Sequence, residues 1–311
     1  MIEVLILTED AADYTRYLPQ ELEGARVHVA TGEQDLGPEA RQAQVALAKP
    51  ALLARVLDQL PQLRWVQSTF AGVDPLLRSG LRQDYTLTGV KGVFGPLMSE
   101  YVFGQIIALE RGFAALRAAQ RERRWEPRAY RGLGGLTLGV AGLGSIGQHI
   151  VATARHFSMG VVGYRRRPGE VEGVDRVYSG EAFREFVAVP DYTVLVLPAT
   201  PESHHLIDAD ALDAMGSGSW LINVGRGAVV DEAALAAALQ ARRIGGAVLD
   251  VFEDEPLAPE SPLWDLDNCV VTPHVAAESF PSDIVAIFLE NWRRYRAGEP
   301  LQHVIDFHRG Y

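Results

Sequence analysis

Short apolar segments alternate with segments of helical periodicity along the first third of the chain. Strands are predicted over residues 4–7, 27–30, 45–48, 63–68 and 85–90. Helices, in which apolar residues recur every three to four positions, are predicted over residues 11–18, 51–60 and 73–78. Because strands that alternate with helices form parallel sheets with helices on both faces, this pattern predicts a doubly wound α/β domain.

A second alternating pattern follows residues 99–124, a proline-free periodic stretch that predicts one long helix with Ser99 as its N-cap. The later predicted strands span residues 138–141, 161–164, 193–197, 220–224, 247–250 and 269–272. Helices between and after them include residues 208–215, 231–242 and 282–297, the last of which ends at Gly298. The pattern therefore predicts a second parallel sheet. If residues 301–311 return to the first domain, that domain is discontinuous.

The chain is organised around a glycine motif, Gly142-Leu-Gly144-Ser-Ile-Gly147, which lies between a predicted strand and a predicted helix. Gly142 would permit a sharp turn, Gly144 a close approach to a pyrophosphate, and Gly147 close packing of the helix on the strand. The N–H groups of Ser145, Ile146 and Gly147 would face an anion at the positive end of the helix dipole. The motif predicts dinucleotide binding; a merely structural turn is the alternative.

Two loop segments have open interpretations. Thr69 to Asp74 is a small-residue loop after a strand, which either directs backbone N–H groups at a small anion or is a plain turn. Trp125, Pro127 and Tyr130 lie in a segment without periodicity, which is either an arm that contacts another subunit or an ordinary interdomain linker.

Charged residues follow neighbouring strands of the second predicted sheet, where open α/β sheets bind their ligands. Arg226 lies between two glycines and could bind a carboxylate bidentately. His274 follows the last strand and could exchange a proton near neutral pH, with Glu255 fixing its tautomer. Each residue has a structural alternative, but their occurrence together at one edge indicates a catalytic site.

Composition narrows the function. The formal net charge of −11 argues against a nucleic-acid or membrane-surface role. No apolar run has membrane-spanning length and no signal peptide precedes the first strand, so we expect a cytoplasmic protein. Cys269, the single cysteine, is interpreted as a core residue. His204 and His205 lack the spacing of a metal site with other ligands, so we expect no metal.

Five stretches of the chain resemble the D-isomer-specific 2-hydroxyacid dehydrogenase family. They are the glycine motif from Gly139 to Gly147, Leu197-Pro-Ala-Thr-Pro-Glu202, Asn223-Val-Gly-Arg-Gly-Ala-Val-Val-Asp231, Gly246 to Pro256, and Ser261-Pro-Leu-Trp264 through Thr272-Pro-His274. The closing Arg309-Gly310-Tyr311 and the sequence His274-Val-Ala-Ala277 look like the bacterial glyoxylate/hydroxypyruvate reductase subgroup. The resemblance covers essentially the whole chain.

The resemblance implies an α/β fold of two doubly wound parallel-sheet domains. A Rossmann NAD(P) domain, residues 99–281, would be inserted in a discontinuous flavodoxin-like substrate domain, residues 1–98 and 282–311. The usual assembly in this family is a homodimer.

The resemblance also implies the site residues. Arg226 corresponds to the catalytic arginine, His274 to the acid/base histidine and Glu255 to its carboxylate partner. Phe70, Ala71 and Gly72 correspond to a second substrate clamp. Thr200 and Asp250 correspond to cofactor-binding positions, with Asp250 beside the nicotinamide.

The cofactor prediction rests on the residues after the second nucleotide-binding strand. NAD-using relatives usually carry an aspartate there, whose oxygens bind the ribose hydroxyls, whereas this chain has Tyr164-Arg165-Arg166-Arg167. Arg165 and Arg166 would pair with a 2′-phosphate, which favours NADP(H), with NAD(H) possible. Since Lys49 and Lys91 are the only lysines, the arginine-rich composition is the competing explanation.

The resulting hypothesis is NAD(P)H-dependent reduction of a small 2-oxo acid, such as glyoxylate or hydroxypyruvate, to the 2-hydroxy acid. Two alternatives remain open. One is the same fold acting on a bulkier keto acid, formate or phosphite, because fold alone does not determine the substrate. The other is a non-catalytic, nucleotide-sensing interaction protein.

Overall fold

The computed structural model describes residues 1–19 and 22–307 of the chain. It divides into two units, Met1–Val93 with Ser279–Tyr311 and Phe94–Glu278. Each unit contains one sheet whose paired strands are all parallel. The predicted α/β fold class, with two parallel sheets, is confirmed.

The elements assigned to the described residues are numbered in chain order. The strands are β1 (Ile2–Leu7), β2 (Ala25–Ala30), β3 (Val45–Ala48), β4 (Trp65–Ser68), β5 (Thr86–Thr88), β6 (Thr137–Ala141), β7 (Gly160–Tyr164), β8 (Arg176–Tyr178), β9 (Tyr192–Leu195), β10 (Trp220–Asn223), β11 (Gly246–Leu249) and β12 (Cys269–Val271). The α-helices are α1 (Ala11–Tyr17), α2 (Pro50–Val56), α3 (Phe94–Glu110), α4 (Phe113–Arg121), α5 (Ser145–His156), α6 (Phe183–Val187), α7 (Ala209–Ala214), α8 (Glu232–Gln240) and α9 (Pro281–Ala297).

The sheet of the first unit has the strand order β2-β1-β3-β4-β5, the order of flavodoxin-like folds. β3 and β4 are buried along their whole length, as is typical of strands covered on both faces. α9 packs on this sheet through Phe288, whose ring stacks on that of buried Trp65 at 5.3 Å. Asn291, also buried, donates to Gln67 Oε1 at 3.2 Å. Both contacts join the late helix to the early strands.

The sheet of the second unit has the order β12-β11-β10-β9-β6-β7-β8. β6 is the first strand of this sheet in the chain. β7 and β8 lie on one side of it and β9 to β12 on the other, as in a dinucleotide-binding fold. One strand of this sheet was not predicted. β8 has three residues, Arg176 is exposed, and only Tyr178 is buried, so it gives no apolar run that a sequence pattern could reveal.

The single long helix predicted over residues 99–124 is wrong. The structure has two helices, α3 and α4, separated at Gly112, which adopts a left-handed conformation with φ +61°. Glycine adopts this conformation at little cost, and it ends one helix before the next begins. Ser99 is not an N-cap, since it lies inside α3, where it is buried.

Two shorter segments of the first unit could be described only from the structure. The helix predicted over residues 73–78 is a single 3-10 turn, Asp74–Leu76, because Pro75 lacks an N–H group and the segment is short. Residues 301–307 return to the first unit, where the Ile305 N–H group donates to the Leu87 carbonyl at 2.8 Å. The motif Arg309-Gly310-Tyr311 lies outside the described residues.

Within residues 1–19 and 22–307, none of the helices is both long enough and apolar enough to cross a membrane.

Candidate active site

The three glycines after β6 differ in the space around their α-carbons. Gly142 has φ +102°, and a Cβ there would lie 2.6 Å from the Val196 carbonyl oxygen. A Cβ on Gly147 would overlap the carbonyl oxygen of Gly142. A Cβ on Gly144 would meet nothing within 4 Å. The turn therefore needs glycine at its first and last positions, and the space beside the middle glycine is open, as a bound pyrophosphate requires.

This turn leads directly into α5, which begins at Ser145 with Gly144 as its N-cap. The first intrahelical bond runs from Gln148 N–H to the Gly144 carbonyl at 2.9 Å. The N–H groups of Ser145, Ile146 and Gly147 precede that bond and point out of the helix start. Since β6 lies between β9 and β7, these donors are at the point where the strand order reverses. The residues fit a dinucleotide phosphate.

A matched pair of alanine substitutions separates the two glycine roles. Gly147→Ala should lower the free energy of unfolding by about 1–3 kcal/mol, because the new methyl group overlaps backbone. Gly144→Ala should leave it within about 0.5 kcal/mol, because φ is −78° and the space is open. Urea unfolding measures both. Gly144→Ala should nevertheless weaken dinucleotide binding about tenfold or more, and equal affinity to wild type would contradict a phosphate at this turn.

Arg226 lies in a turn that a buried asparagine holds through two hydrogen bonds. Asn223, the last residue of β10, donates through Nδ2 to the Arg226 carbonyl at 3.0 Å and accepts from the Gly225 N–H at 3.1 Å. A Cβ on Gly227 would overlap the backbone of Phe252, so this turn packs directly on the segment that precedes Glu255. The half-buried Arg226 guanidinium donates through Nη1 to the Gly225 carbonyl at 2.8 Å.

Asp250 organises the chain after the neighbouring strands. Its carboxylate is buried and accepts from the Thr272 hydroxyl at 2.6 Å and from the N–H groups of Val275 and Ala276, each at 2.9 Å. Its backbone carbonyl accepts from the His274 N–H at 2.8 Å. Such a fully bonded carboxylate stabilises one backbone path. Asp250 therefore positions the loop that carries His274, a task the sequence did not predict.

His274 and Glu255 form a direct pair. His274 Nδ1 lies 2.8 Å from Glu255 Oε2, while Glu255 Oε1 accepts from the Phe252 N–H at 3.1 Å. Because an ionised carboxylate can only accept, this hydrogen bond favours the tautomer with the proton on Nδ1 and leaves Nε2 as the nitrogen not bonded to Glu255. His274 is about half exposed, and its φ of +55° is an uncommon backbone conformation for a residue other than glycine.

These residues follow three adjacent strands, since β10, β11 and β12 are neighbours in the sheet. Arg226 follows β10, Asp250 follows β11 and His274 follows β12. The carboxyl ends of parallel strands share one edge, which brings an arginine and a hydrogen-bonded His–Glu pair to the same edge as the glycine turn. This edge of the second unit can bind an anion and transfer a proton.

Sequence reasoning missed the residues that support this edge through tertiary hydrogen bonds. The Thr272 hydroxyl donates to Asp250, so it accepts from the Tyr101 hydroxyl, 2.6 Å away on α3. Burial raises the pKa of Tyr101, which keeps this donor protonated. In the sequence, Asn223 is recognisable as a polar residue at the end of an apolar strand. Tyr101 cannot be distinguished there from other periodic residues of a helix.

The predicted ribose-reading residues follow β7. The Arg165 N–H donates to the Tyr178 carbonyl at 3.1 Å, which holds this residue beside β8. Arg166 is exposed, and its charge contributes to lowering the pKa of Glu202, after hydrogen bonds from the Glu202 backbone and the Thr200 side chain. The Thr200 N–H itself donates to Ser203 Oγ at 2.8 Å. Arg166, Thr200 and Glu202 are thus neighbours beyond the strand ends.

In the first unit, Phe70, Ala71 and Gly72 form a loop directly after β4. Ser68 Oγ accepts from the Phe70 N–H at 3.0 Å and donates to the Phe70 carbonyl at 2.7 Å. The Phe70 N–H is therefore already bonded, which leaves Ala71 and Gly72 as the backbone positions to test as donors to a substrate.

The structure contradicts the reason for expecting no metal site. Donor atoms of His204, His205 and Glu253 lie within 4.8 Å of one another. The sequence spacing gave no sign of this cluster, because Glu253 comes from a loop 48 positions after His205. Histidine and glutamate in such proximity are potential metal ligands.

Comparison with known proteins agrees with this geometry. The family model described as "D-isomer specific 2-hydroxyacid dehydrogenase, NAD binding domain" matches residues 103–276, more than half of the chain. The chain belongs to the D-isomer-specific 2-hydroxyacid dehydrogenase family. The predicted family, fold class and oxidoreductase class are confirmed.

Two solved structures illustrate the likeness. A D-isomer-specific 2-hydroxyacid dehydrogenase family protein from Aeromonas salmonicida is 44% identical, with a TM-score of 0.95 over 98% of this chain and 99% of that chain. A D-isomer-specific 2-hydroxyacid dehydrogenase from Xanthobacter autotrophicus, in complex with NADPH and MES, is 33% identical, with a TM-score of 0.88 over 100% of both chains.

Two curated relatives carry functional names. Glyoxylate reductase of Pyrococcus horikoshii is 32% identical over 83% of this chain and 80% of its own length. D-3-phosphoglycerate dehydrogenase of Methanocaldococcus jannaschii is 28% identical over 98% of this chain, which spans only 60% of that longer enzyme.

Proposed function

We propose that this dehydrogenase reduces a small 2-oxo acid of the glyoxylate or hydroxypyruvate type to the 2-hydroxy acid, with NADPH as the preferred hydride donor. The observation that carries the proposal is the His274–Glu255 hydrogen bond at 2.8 Å, on the same sheet edge as the Arg226 turn. A 2-oxo acid needs a cation for its carboxylate and a proton donor for its carbonyl oxygen. This edge offers both groups.

Arg226 binds the substrate carboxylate and polarises the ketone in this proposal. The two hydrogen bonds of Asn223 fix the backbone on both sides of Arg226, so the guanidinium approaches the substrate from a defined direction. We propose that the loop of Phe70, Ala71 and Gly72 also contacts the substrate. Reduced nicotinamide, when bound, supplies a hydride to C2 of the acid.

His274 donates the proton that completes the reduction. As the hydride reaches C2, negative charge develops on the carbonyl oxygen, and the Nε2 proton of imidazolium neutralises it. Glu255 holds the ring in one orientation through its hydrogen bond to Nδ1. In the reverse direction neutral Nε2 accepts the hydroxyl proton. One residue therefore acts as acid for reduction and as base for oxidation.

The dinucleotide is proposed to bind along Gly142, Gly144, Ser145, Ile146 and Gly147, with Thr200 and Asp250 further along the same edge. Arg165 and Arg166, directly after β7, lie where the second strand of such a fold meets the ribose. A 2′-phosphate pairs with guanidinium groups, whereas an unphosphorylated ribose offers them no charge. The homologous Xanthobacter structure contains NADPH, which supports the preference.

Removing both guanidinium groups tests the cofactor assignment. The double variant Arg165→Ala/Arg166→Ala should lower kcat/KM for NADPH by about 10–100-fold, because charge-assisted hydrogen bonds contribute about 1.5–3 kcal/mol. The kcat/KM for NADH should change little. The control is Arg176→Ala, an exposed arginine on β8. Equal losses with both cofactors would contradict a role in reading the 2′-phosphate.

Substrate assays test the activity itself. Absorbance at the nicotinamide band is followed with glyoxylate, hydroxypyruvate, pyruvate or a bulkier keto acid, each with NADPH and with NADH. Turnover of the small acids is expected. Reduction of NAD(P)⁺ with formate or phosphite would instead support the alternative substrates, and the absence of turnover with every pair would favour a nucleotide-sensing protein.

We also propose that the enzyme is a homodimer that uses α4 and the segment after it. Trp125 is 96% exposed, and Phe113 and Tyr130 are exposed as well. Exposed aromatic side chains are typical of protein interfaces. This segment lies inside the second unit, which argues against a linker between units. Sedimentation equilibrium of the intact chain would reveal a dimer, and a monomer would contradict the proposal.

A further inference from the structure

The cluster of His204, His205 and Glu253 is separate from the residues assigned above. His204 and His205 follow the turn that begins at Thr200, and Glu253 follows β11. His205 Nε2 makes a short contact with Glu253 Oε1, and the two imidazole rings lie 4.0 Å apart between centroids. All three side chains reach solvent.

Backbone hydrogen bonds fix the two segments that carry these donors. The His205 N–H donates to the Ala228 carbonyl at 2.9 Å. Ile207, two residues after His205, forms a β-bridge with Val230. The Glu253 N–H donates to Glu232 Oε1 at 2.7 Å at the start of α8. His205 has a left-handed φ of +48°, an uncommon conformation that directs its side chain. Pre-positioned donors lower the ordering cost of binding an ion.

The local charge also favours a cation. The Glu253 N–H donates to Glu232 Oε1, and Asp254 and Glu255 follow Glu253 directly in the chain. Several carboxylates therefore lie close together around the cluster, and their mutual repulsion falls when a cation binds between them. A cation at Glu253 would reduce the negative charge in this region.

We propose that His204, His205 and Glu253 form a binding site for a divalent transition-metal ion such as zinc. Two imidazole nitrogens and one carboxylate are a ligand set that suits zinc better than magnesium or calcium, which prefer oxygen ligands. Three protein donors leave a position for water. The ion replaces the His205–Glu253 hydrogen bond, so neutral imidazoles are needed.

Such an ion would connect two segments next to the catalytic edge. The 205–207 segment bonds to residues 228–231, just after the Arg226 turn, and Glu253 lies two residues before Glu255. The lone thiol is a poor competitor for the ion, since burial raises the pKa of Cys269 to about 12. The proposed site does not depend on the proposed function.

Calorimetric titration of the intact chain with zinc chloride tests the site. Wild type should bind one zinc ion per chain, and zinc should raise its thermal unfolding midpoint. His205→Ala and Glu253→Gln should each weaken binding at least about tenfold, or about 1.4 kcal/mol. Both side chains are on the surface, so the variants should unfold at the wild-type temperature when zinc is absent.

Two further variants act as controls. His28→Ala removes a histidine of the first unit that is bonded to Glu3 at 2.6 Å. Within residues 1–19 and 22–307, this His–Glu pair does not belong to a group of three or more possible metal ligands. His274→Gln removes the imidazole of the proposed acid/base pair. Both should bind zinc as wild type does. No binding to wild type, equal binding to all variants, or loss only in His274→Gln would each overturn the proposal.

Discussion

Replacing Arg226 with alanine is expected to lower kcat/KM for the 2-oxo acid by about 10²–10³-fold, or about 2.7–4 kcal/mol. The guanidinium is the cation that we propose for the substrate carboxylate, and the proposed charge stabilisation at the reacting ketone depends on it as well. Steady-state kinetics with saturating NADPH would measure the loss. Cofactor affinity, followed by fluorescence titration, should stay near the wild-type value, because the glycine turn is untouched.

Two control variants sharpen this experiment. Arg184→Ala removes an exposed arginine of the same unit, bonded to Asp210 at 2.7 Å, and should leave kcat/KM unchanged. Arg226→Lys keeps the charge but loses the bidentate geometry, so it should recover only part of the activity. Since Arg226 also donates to the Gly225 carbonyl, thermal unfolding must verify that the alanine variant is folded. A loss of less than about tenfold would contradict the assigned role.

The glycine turn could be predicted because its causes are local. Gly142 needs a positive φ, and Gly147 lies too near the Gly142 carbonyl for any side chain, so residue spacing alone carries the information. The strands were predicted for a similar reason, because fully buried parallel strands such as β3 and β4 are continuous apolar runs. The positions of Arg226 and His274 then followed from the rule that ligands bind at the carboxyl ends of strands.

The parts that the sequence did not predict depend on contacts between distant residues. The hydrogen bond from Tyr101 to Thr272 joins residues 171 positions apart. The His205–Glu253 contact of the proposed metal site joins residues 48 positions apart. A periodic pattern describes which face of an element is buried, but not which polar partner the other element presents. The break at Gly112 was missed for another reason, since an isolated glycine in a periodic stretch is compatible with a continuous helix.

Replacing His274 with glutamine is expected to lower kcat for reduction by about 10²–10⁴-fold, the range that general acid catalysis supplies. The glutamine amide can still donate to Glu255, so the loop keeps a hydrogen bond, but it cannot give up a proton. Glutamine is unbranched at Cβ, as histidine is, so the positive φ at this position gains no new steric conflict. Stopped-flow absorbance of bound NADPH would measure the chemical step directly.

The division of the effect between kcat and KM distinguishes proton transfer from binding. If His274 acts on the carbonyl oxygen mainly in the transition state, KM for the acid should change little, because Arg226 still binds the carboxylate. Glu255→Gln should cost less than His274→Gln, since the ring remains but loses the carboxylate that fixes its tautomer. An equal or larger loss in Glu255→Gln would move the proton donor from His274 to Glu255. An unchanged kcat in His274→Gln would mean that the proton comes from another group or from water.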